Sequence, residues 1–114
     1  MEYLQHLKKI LAIALEEEAS DLLISVNHPP VIRIVGQLVP LSKEKVITAE
    51  ESKGLAFCLM DEDRKKKFLQ EKEIDFSYDF DGKARFRVNA FFQRDCVSLA
   101  LRLIPAKVRT IEEL

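Results

Sequence analysis

Ala84-Arg85-Phe86-Arg87-Val88-Asn89-Ala90-Phe91-Phe92, continued through Gln93-Arg94-Asp95 into Cys96-Val97-Ser98-Leu99-Ala100-Leu101-Arg102-Leu103-Ile104-Pro105, is the stretch that decides the architecture. Both halves alternate apolar and polar residues, the period of a strand with one face buried. Phe86, Val88, Ala90 and Phe92 share one face; Arg85, Arg87, Asn89 and Phe91 share the other. In the second half Val97, Leu99, Leu101 and Leu103 lie together, opposite Cys96, Ser98, Ala100, Arg102 and Ile104. As an antiparallel hairpin the apolar faces coincide only when Phe92 meets Val97, Ala90 meets Leu99, Val88 meets Leu101 and Phe86 meets Leu103. A slip of one residue sets leucines against arginines along the ladder. The matched register places Arg87 opposite Arg102, a like-charge pair that costs about 0.2–1 kcal/mol. Two readings stand: an anion arrives from elsewhere, or both side chains fan out into water.

The segment before it, Glu73-Ile74-Asp75-Phe76-Ser77-Tyr78-Asp79-Phe80, also alternates, and Asp81-Gly82 marks a tight turn. A two-residue loop would put its aromatics on the arginine face. Setting Phe80 opposite Ala84 instead pairs Tyr78 with Phe86 and Phe76 with Val88, so this register is expected. It sets Asp79 across from Arg85 and Ser77 across from Arg87, with Asp75 only diagonal to Arg87. Arg85 then reads as half of a structural ion pair. Arg87 and Arg102 read as the candidates for an anion, because a guanidinium fork bonds a phosphate bidentately.

Composition sets bounds on function. The 114 residues, 47% hydrophobic and 32% charged, suit one globular domain with a real core. A net charge of −1 gives no global footprint for nucleic acid or an acidic membrane. Cys58 and Cys96 form no CxxC motif, so a disulfide framework is not expected and a reducing compartment fits. His6 and His28 lack ligand-spaced partners, so no metal site is expected. No apolar run approaches the roughly 18 residues of a membrane span, and no signal peptide is expected. These points favour the cytoplasm.

Working back to the start, residues 3–18 read as an amphipathic helix carrying Leu4, Leu7, Leu11, Ala14 and Leu15, with Lys8 and Lys9 facing solvent. Glu16-Glu17-Glu18 sits where a helix dipole disfavours acids, so either the helix ends early or cations meet those charges. Asp21 to Val26 and Val31 to Val35 read as strands separated by Asn27-His28-Pro29-Pro30, and Leu38 to Leu41 as a brief edge strand limited by Pro40. Thr48 and Glu51 form a capping box for a helix to about Met60, and Asp61 opens another to about Lys72. The run Arg64-Lys65-Lys66-Lys67 is either a basic docking patch or, with acids close by, a solvated helix face.

The chemistry that is missing is also informative. There is no GxxxxGK[ST] loop, no glycine-rich dinucleotide motif and no recognisable catalytic triad; the glycines are Gly36, Gly54 and Gly82 alone. On its residues, the chain is an α+β module with an arginine pair and no catalytic set.

Several short motifs occur together and in order: Ala19-Ser20-Asp21-Leu22, Pro29-Pro30-x-x-Arg33, Glu73-Ile74-Asp75-Phe76-Ser77, Ala84 to Phe91, and Arg102-Leu103-Ile104-Pro105. The set resembles the N-terminal domain of the type IV pilus retraction ATPases of twitching motility (PilT-type), within the type II/type IV secretion ATPase superfamily. The resemblance implies a PAS-like antiparallel sheet flanked by helices as a single domain over residues 1–105. Residues 106–114 would begin a linker to an absent RecA-like core that carries the phosphate loop. It further implies a P-loop ATPase parent, a homohexamer with ATP and Mg at the core, while this chain alone hydrolyses nothing and holds no cofactor. Arg87 and Arg102, with Arg85 as a third, would approach the nucleotide phosphates. The implied partners are the chain's own core domain, neighbouring subunits and the pilus inner-membrane machinery, with no nucleic acid; the implied location is cytoplasmic, peripheral to the inner membrane. Two positions depart from the family pattern: Leu23 replaces a usual His, and Val35 interrupts a usual Arg-x-Asp-Gly. Two rivals remain at this point. A free-standing PAS-like sensor or interaction domain needs a ligand cavity, and a nucleic-acid module needs exposed aromatics beside the arginines, for which only Phe91 qualifies.

Overall fold

The alternation in the last two strands is satisfied by one buried and one open sheet face, and the other elements are arranged around that division. The structure, a computed structural model, describes residues 2–105. In chain order the elements are α1 (Glu2–Glu16), β1 (Asp21–Ile24), β2 (Val31–Ile34), β3 (Gln37–Pro40), α2 (Ala49–Cys58), α3 (Glu62–Glu71), β4 (Glu73–Phe80), β5 (Ala84–Gln93) and β6 (Cys96–Pro105). The strands form one six-stranded sheet in the order β3-β2-β1-β6-β5-β4, antiparallel throughout. The fold is α+β, with three helices.

Both expected hairpin registers are observed. β5 and β6 pair Phe86 with Leu103, Val88 with Leu101, Ala90 with Leu99 and Phe92 with Val97. β4 and β5 pair Phe80 with Ala84, Tyr78 with Phe86 and Phe76 with Val88. The buried face thus carries Phe76, Phe86, Val88, Ala90, Leu99 and Leu101, joined by Leu22, Ile24 and Ile32 from β1 and β2. Onto it pack Leu7, Ile10, Leu11 and Ala14 of α1, Leu55 and Ala56 of α2, and Phe68 of α3. Phe68 stacks on Phe92 with ring centroids 4.9 Å apart, which fixes α3 over the end of β5. Gly54 of α2 lies flat under the Tyr3 ring; a Cβ there would come within 2.5 Å of ring carbons, so a close helix approach explains a glycine where alanine has the better helix propensity.

The helix ends follow local chemistry. Thr48 and Glu51 form the capping box, each bonding the other's backbone N–H. Asp61 caps α3 by accepting from the Arg64 N–H, and Lys72 closes it in the left-handed region. α1 ends at Glu16, the early stop of the two alternatives left open above. Glu18 turns to φ +57°, and the Glu18 and Ala19 N–H groups donate back to the Leu15 and Ala14 carbonyls. That is a Schellman closure with Glu in the position glycine usually takes. Lys8 and Lys9 were expected simply to face solvent. Lys9 is exposed and Lys8 partly so, yet Lys8 reaches Asp81 at 3.6 Å and Lys9 reaches Glu44 at 3.3 Å. Within the basic run, Arg64 pairs with Asp61 and Lys65 with Glu62 one helical turn back, the pattern of a solvated face.

Two hairpins close with two-residue loops. Val35-Gly36 joins β2 to β3 with φ of +48° and +80°, and Arg94-Asp95 joins β5 to β6 with φ of +54° and +65°. Positive φ at both central residues is the type I′ geometry that matches strand twist. Asp81-Gly82 has the same signs, φ +50° and +73°, but Lys83 adds a third loop residue, and this returns the aromatics to the buried face. Val35 is the outlier: β-branched, 94% exposed and in the left-handed region. Replacing it by Asn, Val35→Asn, should relieve about 1 kcal/mol of backbone strain and raise the thermal midpoint by several degrees. Circular dichroism melts of the two chains check this, and an unchanged midpoint rejects the strain.

Candidate anion-binding site

The sheet face turned away from the helices collects the charges. Because β1 lies between β2 and β6, one continuous cross-strand row reads Arg33, Asp21, Arg102, Arg87, Ser77 from β2 to β4. Arg85 stands on the same face two residues along β5 from Arg87, and Asp75 is diagonal to Arg87. Four arginines share this face with the carboxylates of Asp21, Glu73, Asp75 and Asp79, so its charge is dense and of both signs.

Asp21 is placed by the residue before it. The Ser20 N–H donates to the Arg33 carbonyl at 2.9 Å, and the Leu103 N–H donates to the Ser20 carbonyl at 2.9 Å, so Ser20 ties β1 to both neighbours. The Ser20 hydroxyl donates to Asp21 Oδ2 at 2.8 Å. Arg33 Nε lies 3.4 Å from Asp21 Oδ2, and Arg102 Nε donates to Asp21 Oδ1 at 3.3 Å. The carboxylate is 18% exposed and holds one arginine on each oxygen. Arg87 is held differently: its Nε and Nη2 both donate to Asp75, to Oδ1 and Oδ2 at 3.4 Å each. Next along the strand, Asn89 Nδ2 donates to Glu73 Oε2 at 3.3 Å.

This reverses the ion pairing expected from the strand register. The register predicts no facing carboxylate for Arg87 or Arg102; Arg102 has Asp21 opposite it on β1, and Arg87 takes the diagonal Asp75. Arg85 was expected to pair with Asp79. Instead, Asp79 Oδ2 accepts from the Gly82 N–H at 3.2 Å and serves the turn, and among the described residues no carboxylate pairs with Arg85. The physical reasons are two. Long side chains reach diagonal neighbours across a ladder, as Arg87 does to Asp75. The Arg102 partner comes from β1, which is remote in sequence. Arg33, Asp21 and Asp75 were not singled out as site residues, although all three lie inside the quoted motifs. Strand order, which those motifs do not state, would have found Arg33 and Asp21; for Asp75 the signal was its diagonal position in the expected β4–β5 register.

The charge row is accessible. Arg102 is 74% and Arg87 66% exposed at the side chain. Two shallow hollows flank Asp21. One, of about 430 Å³, is lined by Ser20, Asp21, Arg33, Gly36, Arg102 and Leu103. The other, of about 330 Å³, lies between Arg102, Arg87, Asp75 and Asn89. Both open to solvent, unlike the cavity a core-binding sensor requires. Burial pushes the Cys58 thiol up from its usual range, which keeps it protonated and a poor nucleophile. Arginine side chains and their carboxylate partners are the dominant polar groups of the face.

Comparison with known proteins gives this face its context. No protein-family model matches the chain. It is 39% identical over 111 residues to the type IV pilus retraction ATPase PilT of Pseudomonas aeruginosa, covering 93% of the chain and 30% of that relative. It is 33% identical over 107 residues to the type IV pilus ATPase PilU of the same organism, covering 94% of the chain and 28% of that relative. A crystal structure of the pilus retraction motor PilT with bound ADP superposes with a TM-score of 0.85 at 33% identity, covering 94% of the chain and 31% of that structure. The chain is homologous to the N-terminal segment of PilT-type ATPases. It spans about 30% of the length of the curated relatives it matches. In this PilT-like segment the two departures fall at the margin of the charge row. Leu23 sits half-buried on the open face between Val31 and Ala100, and Val35 caps the β2–β3 hairpin.

The pairing geometry ranks the carboxylates and arginines by stability. Asp21→Ala removes a carboxylate only 18% exposed that two arginines share, and should cost about 1–2 kcal/mol, up to about 1 kcal/mol for each pair. Asp75→Ala breaks an exposed pair and should cost about 1 kcal/mol or less. Arg85→Ala should leave stability unchanged. Urea unfolding of the three variants checks the order, and a large loss for Arg85→Ala would restore a partner for that residue.

Proposed function

We propose that this segment is the N-terminal domain, residues 1–105, of a hexameric pilus-motor ATPase of twitching motility, and that it completes a nucleotide site it does not itself contain. The observation that carries the reading is the open sheet face, where Arg87 and Arg102 stand side by side and largely exposed in a segment homologous to a retraction motor. A like-charge pair on a ladder is unfavourable unless anions balance it. The phosphates of ATP, held by a RecA-like core beyond a linker, are anions of the right geometry for two guanidinium forks. Residues 106–114, read as the start of that linker, lie outside the described residues.

In this reading Arg87 and Arg102 bind the phosphates when the two domains close, with Arg85 as a third contact. They stabilise charge that develops on the phosphoryl oxygens and move no proton. Arg85 carries no ion pair among the described residues, so it is free to join without giving up a partner. In this reading the Mg that accompanies ATP is held with the core. Among the described residues no group of three or more His, Cys, Asp or Glu side chains converges, and Asp21 and Asp75 are engaged by arginines. The whole motor would sit in the cytoplasm against the inner-membrane pilus machinery, and among the described residues no helix is long and apolar enough to cross a membrane.

The test uses the full-length motor. Arg87→Ala and Arg102→Ala should each retain the assembly and lower steady-state ATP turnover by about 10²–10³-fold, the loss typical of one charge-stabilising donor. Near-wild-type turnover in both variants removes the mechanism.

A further inference from the structure

The two proposed phosphate arginines are held in unlike ways, and the difference assigns a role to two residues outside the phosphate-contact set. Asp75 takes Arg87 side-on, occupying Nε and Nη2. Asp21 Oδ1 accepts from Arg102 Nε, and Arg33 Nε lies 3.4 Å from Oδ2 as an ion pair, so each oxygen faces one Nε. A guanidinium carries one N–H on Nε and four on its terminal nitrogens. Asp21 therefore leaves the terminal edges of both arginines unused. Those two side chains line the same hollow of about 430 Å³, together with Ser20 and Gly36. The Ser20 hydroxyl, 2.8 Å from Oδ2, fixes the carboxylate that fixes the arginines. The trio of Arg33, Asp21 and Arg102 keeps a net positive charge, whereas the Arg87–Asp75 pair is neutral.

We infer that Asp21 is a positioning residue that holds Arg33 and Arg102 by their Nε atoms so that their terminal nitrogens bind one phosphate group in the hollow between them, making Arg33 a further phosphate-binding arginine. The inference rests on the phosphate-contact reading for Arg102 and extends it to β2. The ligand is recognised through its phosphate group alone, so inorganic pyrophosphate and ATP both qualify. Asp21 repels that ligand through its charge and favours it through the geometry it imposes. The second effect wins here because Asp21 is already neutralised by two arginines, and because unclamped side chains lose more rotamer freedom on binding.

The sign of one substitution separates these effects. The 114-residue chain is titrated with pyrophosphate, and in parallel with ATP, while the Arg Nε–Hε signals are followed by NMR. Pyrophosphate should shift the Arg33 and Arg102 signals together, with one dissociation constant. Arg33→Ala and Arg102→Ala should each weaken binding about tenfold, as expected for loss of a charge-assisted fork. Asp21→Asn removes a negative charge, so a purely electrostatic role predicts tighter binding; positioning predicts binding weaker by about fivefold or more. If Asp21→Asn fails to fold, Arg33→Lys keeps the charge and loses the fork, and should weaken pyrophosphate binding comparably. Tighter binding by Asp21→Asn, unchanged binding by Arg33→Lys, or a response to ATP with none to pyrophosphate overturns the inference. If Arg102→Ala weakens binding and Arg33→Ala does not, this inference falls while the phosphate-contact reading stands. If neither matters, this inference falls, and the phosphate-contact reading is decided separately by the turnover of the full-length Arg102→Ala motor.

Discussion

Pairing of β1 with β6 is the constraint on which the rest of the molecule depends. It sets Asp21 opposite Arg102 and Ile24 opposite Leu99, joining residues about eighty positions apart. Without it there are two separate three-stranded units, β1 to β3 and β4 to β6, neither with enough buried face to hold the helices. The alternation of Asp21-Leu22-Leu23-Ile24 fixes the result: Leu22 and Ile24 must enter the core, so Asp21 and Leu23 must face outward. The core requirement thereby puts a carboxylate between two arginines. Closing so long a loop costs conformational entropy that only the completed core repays, which ties formation of the charge row to formation of the domain as a whole.

What was legible in the sequence, and what was not, follows from the same distinction between near and far. The β4–β5 and β5–β6 registers were readable because period-2 alternation over eight to ten residues leaves one solution that hides every Phe, Val and Leu. The capping box at Thr48 and the cap at Asp61 were readable because a cap depends on residues three apart. The partner of Arg102 was not readable, because nothing near Arg102 in sequence states that Asp21 will lie beside it. Arg85 failed for a subtler reason. Its facing residue, Asp79, was identified correctly, yet a short carboxylate two residues from a turn has a nearer donor in the Gly82 N–H. Facing position across a ladder fixes distance between Cα atoms. It does not decide which of several donors a carboxylate takes.

The hairpin loops show a second compromise between local and global demands. The strand twist asks for positive φ at both loop positions, and only one residue in each of the loops Val35-Gly36 and Asp81-Gly82 is a glycine. Arg94-Asp95 has none. Left-handed residues cost about 1–3 kcal/mol where they are not glycine, so the sheet registers at both ends must be strongly preferred to hold them. That preference comes from the buried face. The β2–β3 hairpin has the least of it, since β3 is exposed along its length, and it carries the most strained residue of the three loops in Val35.

Carboxylates on a face proposed to bind phosphate look at first like a contradiction, and charge balance resolves it. Arg87 and Arg102 are brought face to face by the register of the core, not by choice of the open face. With no anion present, that juxtaposition must be relieved. Asp21 and Asp75 do so from opposite sides, each drawing its arginine away from the other along the strand row. The relief is graded: Asp75 is about half exposed and binds through two weak contacts at 3.4 Å, so solvent competes for it readily. Asp21 is shielded, tied to Ser20 and shared between two arginines, so it stays in place. In the proposed reading, an arriving phosphate displaces the carboxylate that is easy to displace and uses the arginine edges that the fixed carboxylate leaves open. On that reading the same sheet is stable without a ligand and still offers arginine edges to one, because one counter-ion is exchangeable and the other is structural.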